Sequence, residues 1–159
     1  MIKVAILTVS DTCSKGQRPD LSGPILKDAL DAKIYQVCDY KVVPDNHESI
    51  AKELTRFADE KKLDIVLTTG GTGLGPRDVT PEATAEISSK MVPGLAEIIR
   101  REGLKKTRNA LLSRAVAGIR GGTLIINLPG SPKGAKESIE AIMDVLPHAK
   151  KMMQGQGHD

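Results

Sequence analysis

Leu63-Asp64-Ile65-Val66-Leu67-Thr68-Thr69-Gly70-Gly71-Thr72-Gly73 is an apolar run that stops abruptly in glycine. Such a run suits a strand covered on both faces, as parallel strands are. Glycines at its end let backbone amides approach an anion with no Cβ in the way. The design recurs on either side. Val4 to Val9 is apolar apart from Thr8 and ends in Ser10 and Asp11, and Thr123 to Leu128 ends in Pro129-Gly130-Ser131-Pro132. A weaker strand over 34–43, interrupted by Gln36, Asp39 and Lys41, suits a sheet edge.

Helical spacings fill the gaps. Ile25, Leu26, Ala29 and Leu30 follow Pro24, which a first helical turn tolerates. Ile50, Leu54 and Phe57 form a stripe entered through Asp45 or Asn46 as a cap. A short helix is expected from Pro81 with Thr80 as its cap. A longer one starts at Pro93 and carries Leu95, Ile98 and Ile99; a last one places Ile139, Ile142, Met143 and Leu146 on one face. Strand and helix in alternation predict an α/β fold, three-layer and doubly wound, around a mostly parallel sheet. One domain is expected over 1–153, with 154–159 a flexible C-terminal tail.

Composition excludes several function classes. One Phe, two Tyr and no Trp in 159 residues predict an aliphatic core and argue against single-stranded nucleic acid, which is held on aromatic platforms. The basic doublets Arg100-Arg101, Lys105-Lys106 and Lys150-Lys151 are separated and suit solvated helix faces, so no nucleic-acid partner is expected. A net charge of +3 nevertheless suits a protein that handles phosphates. Cys13 and Cys38 form no pair at metal or redox spacing and suit a reducing cytosol. The apolar start ends too early for a signal peptide, and no run has the length a membrane helix needs. The expected location is cytoplasmic. His47, His148 and His158 show no ligand spacing, so no zinc site is expected.

In open α/β sheets, ligands bind beyond the carboxyl ends of the strands. There the chain gathers Ser10, Asp11, Asp45, Thr69, Gly70, Gly71, Thr72, Gly73, Arg77, Asp78, Pro129, Gly130, Ser131 and Lys133. Residues 70 to 75 hold four glycines, but this is neither nucleotide loop of known pattern. Pro76 stands where a Walker A loop has lysine, and Gly-x-Gly-x-x-Gly is absent. Lys133 near a helix start suits phosphate, or is an exposed lysine in a tight turn. Asp11, Asp45 and Asp78 jointly suit Mg²⁺; singly, each also suits a cap or turn. Arg77 and Arg114 have the fork that clamps phosphates, and Ser113 adjoins the second.

The chain resembles the molybdopterin adenylyltransferases, bacterial molybdenum-cofactor biosynthesis proteins similar to the gephyrin-type molybdopterin-binding domain. The resemblance rests on Leu7 to Asp11, Val43 to Asp45, Leu67 to Gly73, Pro76 to Thr84, Leu112 to Arg114, Gly118 to Gly121 and Leu124 to Ser131. It implies a molybdopterin-binding-like fold, a homotrimer, transient contact with other cofactor-biosynthesis enzymes, and Mg²⁺-dependent transfer of AMP from ATP to the terminal phosphate of molybdopterin. It also implies that Asp45 and Asp78 are the catalytic, Mg²⁺-holding carboxylates, and that the glycine loop and the Leu-Pro-Gly loop bind substrate. Two other classes stay open: a non-catalytic molybdopterin-binding or scaffolding paralogue, and an ATP-binding regulator with a different acceptor.

Overall fold

Strand β1 (Ile2–Val9) is buried along its length apart from Lys3, and its side chains alternate between two cores. In the computed structural model, which describes residues 1–156, it pairs in parallel with β2 (Tyr35–Val43) on one side and β3 (Ile65–Thr69) on the other. Strand β6 (Thr123–Leu128) follows β3, again parallel. The sheet ends in two short strands, β5 (Ala117–Arg120) and β4 (Lys90–Met91), in the order β2-β1-β3-β6-β5-β4.

Period-two alternation sorts the cores. Ile2, Val4 and Ile6 face α2 (Ser22–Ala29), α5 (Pro93–Leu104), α6 (Pro132–Ile142) and α7 (Leu146–Met153). Ala5, Leu7 and Val9 face α3 (His47–Thr55) and α4 (Thr80–Ile87). Three layers result, as the alternation implied. Helix α2 joins β1 to β2 across one face, and α3 joins β2 to β3 across the other. The winding therefore reverses between β1 and β3, and a crevice opens at the carboxyl ends of those strands.

Several details differ from the sequence-based expectations. The core is aliphatic except for Phe57, wholly buried beside α3, and Tyr35, 3% exposed. Of the two caps expected for α3, Asn46 is the one used, accepting from the Ser49 amide at 2.9 Å. Thr80 lies inside α4 and does not cap it; its hydroxyl donates to Gly70 O at 2.9 Å. The last helix is broken, with a 3-10 turn over Met143–Val145 between α6 and α7. Gln154, Gly155 and Gln156 bond back to the last turn of α7. Residues 157–159, which hold His158 and half of the expected tail, lie outside the described residues.

The antiparallel edge was not anticipated, though its signal is present. Gly121-Gly122 between Arg120 and Thr123 is a two-residue hairpin, and Gly121 has φ +57°. Next to it, the wholly buried Asn127 amide cross-links three elements. It donates to the hydroxyls of Thr68 (3.1 Å) and Thr84 (2.9 Å), and its carbonyl accepts from the Val116 amide (3.2 Å). Asn127→Leu keeps the volume and strands these groups, so a loss of about 2–3 kcal/mol is expected. Urea unfolding at unchanged m-value measures it; an unshifted midpoint would show that the network contributes nothing.

Candidate active site

A cavity of about 610 Å³ occupies the crevice, lined by Ser10, Asp11, Asp45, Thr69, Gly70, Gly71, Asp78 and Ser131 among others. Asp11 opens a one-turn helix, α1 (Asp11–Ser14), and Ser10 caps it by accepting from the Cys13 amide. Asp45 follows β2. The two carboxylates are interlocked: Asp11 N–H donates to Asp45 Oδ2 and Asp45 N–H donates to Asp11 Oδ1, each at 3.0 Å.

Their charges differ in environment. Arg77 forks onto Asp11, with Nε and Nη2 each 3.0 Å from a carboxylate oxygen. That hydrogen-bonded guanidinium, with the Asp45 amide, holds the Asp11 carboxyl below its ordinary value. Asp45 has no such partner. Burial pushes its carboxyl up; the Asp11 amide opposes this, while the charges of Asp11 and Asp78 add to it. Asp78 therefore shares one electrostatic site with Asp45. Its own carboxylate accepts from the Gly75 amide at 2.9 Å.

The glycines are required by close approach. Gly70 (φ +104°) and Gly71 (φ +70°) lie in the left-handed region that other residues avoid. A Cβ at 70 would collide with Val9 O. One at 71 would collide with Thr80 Oγ1 and stand 3.2 Å from Asp45 Oδ1. The Gly70 amide donates to Leu128 O at 3.2 Å, so Gly70 shapes the loop and is not a free donor. The amides of Gly71, Thr72 and Gly73 have no acceptor among the described residues. The Thr69 hydroxyl, expected as a ligand donor, bonds to Pro129 O at 2.6 Å and ties the two rim loops together. Gly130 packs directly on the Gly70 backbone.

A second cavity of about 800 Å³ lies on the other side of the glycine loop. It is lined by Thr72, Gly73, Leu74, Ile99, Asn109 and Ser113 among others, and it shares Ser131 with the first. Arg77 stands with its side chain 62% exposed. Lys133 is not brought to either cavity: its side chain is 85% exposed and leans toward Glu137. Arg114 turns its guanidinium onto Gly73 O, Asp78 O and the Glu82 carboxylate. Among the described residues, no three His, Cys, Asp or Glu side chains form a metal cage.

Sequence reasoning overlooked Asp20 and Ser22. Asp20 Oδ1 accepts from the Ser22 and Gly23 amides at the start of α2, and its Oδ2 accepts from the Thr8 hydroxyl at 2.7 Å and from the Tyr40 hydroxyl. Burial and that hydrogen bond to Asp20 push the Tyr40 phenol up to about 12. Ser22 Oγ donates to Gly130 O at 2.7 Å. An Asp two residues before a Ser-Gly-Pro helix start was the available signal.

Known proteins are similar to this chain over most of its length. A molybdopterin adenylyltransferase of Helicobacter pylori (strain J99) is 42% identical over 156 residues, covering 97% of this chain and 89% of that protein. The Drosophila melanogaster molybdenum cofactor synthesis protein cinnamon is 46% identical over 150 residues, 93% of this chain but 25% of that protein. The crystal structure of the molybdopterin biosynthesis enzyme MoaB from Thermus thermophilus superposes with a TM-score of 0.93 at 52% identity over the whole of both chains. The family pattern described as a probable molybdopterin binding domain matches residues 5–148, from within β1 to within α7, and so takes in the crevice with Asp11, Asp20, Asp45 and Asp78. This chain belongs to that molybdopterin-binding family.

Proposed function

We propose that the chain is a molybdopterin adenylyltransferase of molybdenum cofactor biosynthesis, as the Helicobacter pylori relative is named. The observation that carries this reading is the pair of cavities meeting at Gly71 to Gly73, where unpaired amides and two carboxylates border one point. A reaction that joins two anionic molecules needs such a junction. The triphosphate of ATP takes the cavity with the aspartates. The pterin takes the other, between the aliphatic walls of Ile99 and Leu74 and the polar groups of Asn109 and Ser113.

The terminal phosphate of molybdopterin attacks the α-phosphorus of ATP. A new P–O bond forms, the bond from the α-phosphorus to the bridging oxygen breaks, and pyrophosphate leaves. A phosphate monoester has a second pKa of about 6 and is already largely ionised, so no general base is needed. The work of the protein is alignment and charge stabilisation. Amides of Gly71 to Gly73 donate to phosphate oxygens, and Arg77 exchanges Asp11 for a substrate phosphate, bidentate either way.

Asp45 and Asp78 fit Mg²⁺, a hard cation that takes one or two carboxylates together with substrate phosphates. The burial of Asp45 among like charges is relieved by a cation. Bound there, Mg²⁺ would offset the charge on the phosphates. A homotrimer in the cytoplasm, with transient contacts to enzymes of the same pathway, completes the reading. Its supports are the exposed Leu111 and Leu112 beside the second cavity, and two unpaired cysteines. Sedimentation equilibrium should give the mass of three chains.

Mixing ATP, molybdopterin and Mg²⁺ with the protein should release pyrophosphate. Pterin binding without release would make the chain a non-catalytic binder; ATP binding with no response to pterin would make it a regulator. Asp45→Ala and Asp78→Ala should each lower kcat by about 10²–10³-fold, and undiminished Mg²⁺-dependent turnover in both would remove the proposed metal role.

Asp45 also sets a pH dependence of stability. Below the ordinary value of 3.8, folded and unfolded chains both hold the Asp45 proton. Above it, and up to the raised folded value, the unfolded chain has released the proton and the folded chain has not, so stability falls as pH rises. Beyond the raised value the loss is constant. Asp45→Asn should therefore melt above wild type at pH 7, with the difference vanishing below pH 3.8, while turnover is lost. A scan showing no gain at pH 7 would contradict the assignment.

A further inference from the structure

Arg114 has the chemistry of a phosphate clamp and the geometry of a strut. Its backbone amide donates to Thr72 O at 2.9 Å. Nε donates to Gly73 O at 2.8 Å and Nη2 to Asp78 O at 2.8 Å. The two Nη atoms also reach both oxygens of Glu82 on α4, at 2.7 and 3.1 Å. A guanidinium has five N–H donors, and four of them are thus directed into the protein.

The two carbonyls matter because of where they sit. Gly73 and Asp78 are the ends of the loop that carries the Asp78 carboxylate, so one planar group spans its base. Inside the loop, the Gly75 amide meets the Asp78 carboxylate and the Asp78 amide meets Gly75 O at 3.1 Å. Leu74 is 66% exposed and packs into no core. The loop is pinned at its base by hydrogen bonds, with little apolar burial to hold it.

A second arginine lies behind the first. Arg100 on α5 donates from Nη1 to Ser113 O (3.3 Å) and Ala115 O (2.8 Å), fixing the backbone on both sides of Arg114. The doublet Arg100-Arg101, expected on a solvated face, thus turns its first member inward.

We infer that Arg114 is a positioning residue: it holds the 73–78 loop so that the Asp78 carboxylate faces Asp45, and it does not bind the substrate phosphates. The inference rests on the role proposed for Asp78. Lysine cannot replace Arg114, because a single ammonium does not span two carbonyls and a carboxylate in one plane.

The test uses the full chain with Arg114→Ala, Arg114→Lys, Glu82→Gln and the double variant Arg114→Ala/Glu82→Gln, beside Asp78→Ala. Without substrate or metal, hydrogen exchange at the amides of Gly75 and Asp78 should quicken in Arg114→Ala while the β1 and β3 amides stay protected. In pyrophosphate release, Arg114→Ala should lose about 100-fold in kcat, the scale of a misplaced reacting group; its KM for ATP should stay within about threefold, since uniform binding is not what is lost. Glu82→Gln, which alters Arg114's anchor and lines neither cavity, should shift both readouts in the same direction, and the double variant should be no worse than Arg114→Ala alone. Arg114→Lys should not rescue. If Arg114→Ala fails to fold, Arg114→Lys and Glu82→Gln report the same split. Unchanged loop exchange overturns the inference, as does a raised KM for ATP with unchanged kcat. Full turnover in Asp78→Ala sinks the carboxylate reading instead; an inactive Asp78→Ala beside a fully active Arg114→Ala sinks only this one.

Discussion

Two carboxylates at the ends of neighbouring strands each accept the other's backbone amide. The Asp11–Asp45 interlock brings like charges together in a half-buried crevice, which costs free energy unless something opposes it. Arg77 is hydrogen-bonded to Asp11 alone, and its weaker pull on Asp45 does not offset the burial of that carboxylate. The rest of the rim is organised around that imbalance. The glycine loop passes close enough to Asp45 that any side chain at position 71 would intrude, and the Asp78 loop presents a third negative charge. Such a site is under electrostatic load, in keeping with the general trade of stability for function.

The supporting scaffold is neutral and rigid. Thr69, Ser22 and Thr80 bond to backbone carbonyls on facing loops, at distances of 2.6 to 2.9 Å. Thr69 and Ser22 line the crevice and Thr80 is buried behind it, yet all three are engaged with protein. Preorganisation of this kind fixes where the free amides point before any ligand is present. In the proposed function, chemistry is then left to few groups: Asp45, Asp78, three amides and the exposed Arg77.

The strands were legible because burial on both faces demands continuous apolar runs, and Val4 to Val9, Ile65 to Thr69 and Thr123 to Leu128 have them. The convergence of Asp11, Asp45, Asp78 and the glycine loop followed from strand polarity alone. What stayed hidden depends on partners distant in sequence. Thr80 looked like a cap because local spacing does not reveal Gly70 O. Arg114 looked like a ligand donor because nothing nearby in the chain announces Gly73, Asp78 and Glu82. Lys133 was placed correctly on a helix start, yet its direction belongs to the helix surface and leads to Glu137. Strands β4 and β5 were missed because two and four residues are too few to show a period.

The contact between Gly70 and Gly130 carries a consequence for how such a protein can change. At most buried positions a larger residue can be accommodated when its neighbour becomes smaller, and the pair drifts together over generations. Here the obstacle to a side chain at 130 is the α-carbon of Gly70, and the obstacle at 70 is the carbonyl of Val9. Main chain cannot be trimmed. A smaller side chain nearby relieves neither contact: position 70, in the left-handed region, meets the carbonyl outright, and position 130 gains room only where the main chain itself shifts by a few tenths of an ångström.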